Sequence, residues 1–218
     1  MRLLKVLFVL FLFSSAYGQE NEWRMMGQLE DHSAAVFLHC GPWERTHQYV
    51  LTWNNGSAQD TLIFEPNGQH LYTGDTFLLK AVQVDGWGQK EIVISWLDKS
   101  GLASYVKEES ITDYHNRIWN LDTRRELFAV VDRHSHEHST NDGTSETLWE
   151  KSHYSYRFSI DSAGTIRLSD FESQYENRAY TKLPNGKRKL TETSGELEPV
   201  MKIGIYRFKD GEYVWEEL

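Results

Sequence analysis

Between residues 153 and 160 the side chains alternate without a break. Tyr154, Tyr156, Phe158 and Ile160 fall on one parity, and Ser155, Arg157 and Ser159 on the other. Only an extended strand sends successive side chains to opposite faces, so this period of two commits the segment to a sheet with one apolar face. The same period recurs along most of the chain, cut at short intervals by turn signals such as Asn54-Asn55-Gly56, Pro66-Asn67-Gly68, Asp161-Ser162-Ala163-Gly164 and Asp210-Gly211. Strands are expected over residues 47–53, 61–65, 69–72, 76–84, 91–97, 126–131, 153–160, 165–168, 203–208 and 212–215. Residues 108–120 alone offer a helical possibility, with Ile111, Tyr114 and Ile118 as a sparse stripe.

The expected class is therefore all-β and mostly antiparallel, a β-sandwich or a curled barrel-like sheet built from hairpins. No Pro/Ser-rich linker interrupts it. A single domain over residues 19–218 is expected, with residues 170–199 as a more polar excursion.

The first eighteen residues bear on compartment rather than on fold. Arg2 and Lys5 precede and punctuate an apolar run from Leu3 to Phe13, and Ala16 and Gly18 supply small residues before Gln19. That order is a secretory signal peptide with cleavage before Gln19, and the run is too short to span a bilayer. Without Arg2 and Lys5 the remaining 200 residues carry 21 basic and 32 acidic side chains, a formal charge of −11. Such a balance argues against a nucleic-acid or anionic-membrane binder, and no later apolar segment is long enough for a transmembrane span. Cys40 is the one cysteine, so no disulfide forms within the chain, and it stands too far from the cleavage site for a lipid anchor. The expectation is an exported, soluble protein of a bacterial envelope, periplasmic or secreted. Asn55-Gly56-Ser57 matters as a glycosylation sequon only in a eukaryotic secretory route.

Residues 84–94, Val84-Asp85-Gly86-Trp87-Gly88-Gln89-Lys90-Glu91-Ile92-Val93-Ile94, and residues 118–123, Ile118-Trp119-Asn120-Leu121-Asp122-Thr123, resemble the core phrases of FG-GAP/VCBS-type exported bacterial β proteins. The resemblance implies a turn leading into a buried strand, and in that family the acidic loop binds calcium. Here Asp85 is the only carboxylate before the strand, whereas a calcium ion takes six to eight oxygens, and no second copy recurs at a fixed period. Calcium is not expected.

The sharpest constellation is Asp132-Arg133-His134-Ser135-His136-Glu137-His138. On a strand, His134, His136 and His138 would project from one face, and three neutral imidazoles hold zinc or copper with a position left open. The tract runs into a polar stretch at residues 139–145, so the expected form is a solvated hairpin loop between residues 126–131 and 149–160.

Elsewhere no catalytic motif stands out. Cys40 is followed by Gly41, Pro42 and Trp43, which lacks the second thiol of a redox pair, and it reads as a small buried residue before a turn. Asp113 with Glu150 is one of many carboxylate pairs open to a glycosidase reading, and spacing selects none of them. Trp43, Trp53, Trp87 and Trp119 lie near expected turns, where packing at a strand end competes with a contact platform. Residues 182–189 (Lys182, Lys187, Arg188 and Lys189 among them) form a basic hairpin tip on an acidic protein. The sequence thus points first to a binding module whose partner is an unidentified envelope protein or glycan. An envelope hydrolase comes second, and a metal-binding protein using the histidine tract third.

Overall fold

A computed structural model of the protein describes residues 22–40, 47–55, 58–64, 77–84, 91–104, 107–141 and 146–217. The signal-like segment, Trp43, Trp87 and the loop at residues 85–90 lie outside these. Every regular element among the described residues is a β-strand and every pairing is antiparallel, with no closed barrel, which gives the all-β class expected of the alternation. No helix among them is long and apolar enough to cross a membrane. The chain divides into two compact units, residues 1–67 and 68–218.

The first unit is a four-stranded meander: β1 (Glu22–Gln28), β2 (Ala34–Cys40), β3 (His47–Asn55) and β4 (Ala58–Phe64). Its register places Ala34, Val36 and Leu38 opposite Trp53, Leu51 and Tyr49. All six are buried, so one parity of each strand makes the apolar face. Trp53 is packed here rather than offered to a ligand. Cys40 ends β2, and its side chain lies outside the described residues.

The second unit is a nine-stranded sheet in the order β13-β12-β10-β9-β8-β7-β6-β5, with β11 paired to β10. Its strands are β5 (Leu78–Val82), β6 (Glu91–Ala103), β7 (Lys107–Asn120), β8 (Arg125–Asn141), β9 (Glu146–Ile160), β10 (Ile166–Lys182), β11 (Arg188–Gly195), β12 (Gly204–Lys209) and β13 (Glu212–Glu216). Residues 108–120 are thus strand, not helix. Ile111, Tyr114 and Ile118 were too sparse to make a helical stripe, and Thr112, Ile111 and Ile118 favour the pleated backbone. Most of the expected polar excursion at residues 170–199 is also strand, because β10 runs on to Lys182 and returns as β11.

β8 and β9 pair only from Arg133 with Ser155 to Asn141 with Thr147. Below that point they part, β8 staying with β7 and β9 with β10. The core fills the space between them: Val93, Ile118, Phe128 and Val130 from one side, Tyr156, Ile166, Leu168 and Tyr206 from the other. One long sheet therefore serves as two layers at one end and as a single exposed layer at the other.

Glu91, wholly buried at the start of β6, fastens the core end. Its Oε2 accepts from the Val84 amide at 2.9 Å and its Oε1 from Asn120 Nδ2 at 3.0 Å, while Asn120 Oδ1 accepts from the amide and hydroxyl of Thr123. Truncation would leave two buried donors without an acceptor, a penalty of about 1–3 kcal/mol for each group. We expect Glu91→Ala to lower the stability of the second unit by roughly 3 kcal/mol in urea denaturation. A midpoint within error of the parent would contradict this.

Candidate metal centre

The histidine tract is strand, not loop. β8 continues through it to Asn141, because β7 and β9 flank it with complete ladders and satisfy its backbone on both sides. Alternation then puts all three imidazoles on one side of β8. The rings of His134, His136 and His138 follow one another along one face, with centroids 6.4 and 6.2 Å apart.

What faces them is set by register. On β7, Asp113 lies opposite His134, Ile111 opposite His136 and Glu109 opposite His138; on β9, Tyr154, Ser152 and Glu150 take the matching places. The three histidines consequently have different partners. His134 donates from Nδ1 to Asp113 Oδ1 at 2.6 Å and stacks on Tyr154, ring centroids 5.1 Å apart. The Tyr154 phenol is pushed up to about 12 by burial first and then by the Asp113 charge. His136 Nε2 lies 3.2 Å from Glu109 Oε1.

Glu109, His136 and His138 form the group that fits a metal, with one ligand atom from each lying within 4.8 Å of the others. Two donors bound to one zinc at about 2.1 Å sit about 3.4 Å apart, so His136 and Glu109, 3.2 Å apart, already have ligand spacing, and His138 lies within 4.8 Å of both. Two imidazoles with one carboxylate suit zinc or copper, whereas calcium takes an all-oxygen set. His134 stands outside the group, held by Asp113. Glu109 was not legible as a ligand in the sequence, since only the β7–β8 register brings it to the histidines.

A competing cation sits beside the cluster. Lys107 Nζ is 3.0 Å from Glu109 Oε2, and that hydrogen bond, followed by one from His136, holds the Glu109 carboxyl below its ordinary range. The carboxylate is therefore ionised and ready to ligate, although an incoming dication must share it with an ammonium.

Asp113 and Glu150 are not a glycosidase pair. They lie on strands separated by β8 and are offset by four residues along the register, about 13 Å at strand rise, beyond the reach of a concerted pair.

Deeper in the sheet, Asp98, His115 and Asp132 are buried. Asp98 Oδ2 and His115 Nε2 approach to 3.9 Å, too far for a hydrogen bond, and His115 lies flat on Trp96 with centroids 4.7 Å apart. Burial, with the neighbouring Asp113 charge, raises Asp98 to about 6; burial lowers His115 to about 4 and raises Asp132 to about 6. Against known proteins, the chain matches no family model, no curated protein and no solved structure.

These shifts fix the sign of the pH dependence. Asp98 and Asp132 bind protons more tightly folded than unfolded, so their burial opposes folding above pH 6, and that opposition fades as pH falls through 6 toward 4. His115 works the other way, losing stability as pH falls from its unfolded value through 4. Asp98→Asn should stabilise the protein by roughly 1–3 kcal/mol at pH 8, with the gain vanishing toward pH 4. Thermal melts across that range test it, and a gain independent of pH would refute the assignment.

Proposed function

We propose that the protein is an exported binding module whose ligand is a divalent transition-metal ion, zinc or copper(II), held by Glu109, His136 and His138. The single observation that carries this reading is the convergence of those three ligand atoms within 4.8 Å on a rigid, fully paired part of the sheet. Placement on strands matters, because a preformed donor set avoids the ordering cost that a loop would incur on binding. The signal-like residues 1–18 supply the export half of the proposal. Three protein donors leave a fourth position for water or for a donor group of a partner.

Isothermal titration with zinc chloride tests the reading. One ion per chain is expected, and His136→Ala with His138→Ala should weaken binding by about a hundredfold or more, on the scale of losing two ligands. His134→Ala should leave affinity within a few-fold, because His134 is occupied with Asp113. Lys107→Met should tighten binding several-fold by releasing Glu109. Affinity should also fall on acidification, since protons compete for the imidazole nitrogens. Binding that is only millimolar, or unchanged in the double variant, would end the proposal.

A further inference from the structure

The opposite face of the same strands carries a second feature. Register runs it continuously across six strands: Gly101 and Ala103 of β6, Ser110 and Glu108 of β7, Glu137 and Ser139 of β8, Lys151 and Trp149 of β9, Arg178, Tyr180 and Lys182 of β10, then Glu192, Leu190 and Arg188 of β11. Gly101 and Ala103 have almost no side chain, and a shallow groove forms there, with Glu108 and Glu137 in its lining. At the other side lies the β10–β11 hairpin, where Lys182 faces Arg188 and Lys187 sits in the turn.

The face is therefore divided by charge. Glu108 and Glu137 stand at one side, with Lys151 next to Glu137, and Lys182 and Arg188 stand at the other. Between them are Trp149 and the exposed cross-strand pair Tyr180 (36 %) and Leu190 (43 %). Arg178 lies over Trp149 at 4.9 Å and is already paired with Glu192 at 3.1 Å, so the middle is locally neutral. Trp149 Nε1 donates to Glu137 Oε1 at 3.1 Å, which fixes the indole in place. Among the described residues Glu108, Lys182 and Arg188 have no ion-pair partner.

We propose that this face is the interface of a two-fold dimer of the chain. The glutamate groove of each copy would receive the cationic hairpin tip of the other, with Trp149, Tyr180 and Leu190 meeting at the axis. A two-fold requires a self-complementary patch, and a face acidic on one side and basic on the other meets that condition when rotated onto itself. The groove and the tip lie on strands three steps apart, about 14 Å across the sheet, and four to six residues apart along it, so they stand about 20 Å or more apart on a diagonal of the face. Exposed ion pairs contribute little each, so the aromatic and aliphatic centre supplies the affinity while the charges set orientation and salt dependence. The chain's net charge of −9 favours this oppositely charged contact over indiscriminate self-association.

Sedimentation of the full protein over a concentration series decides. A reversible dimer is expected at low salt, weakening as salt is added. Lys182→Glu with Arg188→Glu, and separately Glu108→Lys with Glu137→Lys, should each raise the dissociation constant by about tenfold or more. An equimolar mixture of the two variants should restore a dimer, because each then offers the charge that the other lacks. All four positions are exposed, so circular dichroism should match the parent. A monomer at every concentration, a dimer indifferent to both variants, or a mixture that stays monomeric overturns the proposal. So does a monomer retained on a sulfated polysaccharide through Lys182 and Arg188, which would place a polyanion at the tip instead.

Discussion

The register in which β7 pairs with β8 governs both the core and the candidate metal centre, and an extra residue at Asp132 sets the offset between the two. Ile118 lies opposite Phe128 and Asn116 opposite Val130, but Asp113 lies opposite His134, because β8 slips by one residue between Val131 and Arg133. β7 alternates without interruption against β6. The bulge at Asp132 therefore turns the histidines to the side of β7 opposite to that of Phe128 and Val130. Without it, a strand built to bury Phe128 and Val130 would send its imidazoles to the face away from Asp113 and Glu109.

That bulge carries a cost in charge. Asp132, the extra residue, is buried and its carboxyl is raised, and Asp98 and His115 share the same predicament next to it in the sheet. Buried ionisable groups without good partners oppose folding, and sheets tolerate them where they fix a particular arrangement. Here the apolar layers below and the Glu91–Asn120 network hold the ladder in place, so the polar stretch above is kept in register. Beyond it the sheet is a single layer with two usable faces. One presents imidazole and carboxylate, the other a divided charge pattern.

The all-β class was legible because period two survives in single segments: Tyr154 to Ile160 alternates in the sequence, and those positions do split between the core and the outer face. The histidine spacing was legible for the same reason. What the sequence does not display is pairing. The polarity of residues 139–145 points to a loop, although strands flanked on both sides need no apolar face to be held. Residues 108–120 allow a helix in the sequence, because a strand with polar residues on both faces has no alternation to show. Glu109 and Asp113 were invisible as partners of the histidines, since they lie more than twenty residues away and only a register with a bulge aligns them.

The central claim is that Glu109, His136 and His138 make one metal centre on paired strands. X-ray absorption at the zinc edge, on protein loaded with one equivalent of zinc, tests it most directly. The account predicts a first shell of nitrogen and oxygen at about 2.0–2.1 Å, with the outer-shell scattering of two imidazoles. A sulfur shell at about 2.3 Å would place the ion at Cys40 instead, and a shell without imidazole scattering would contradict the site outright.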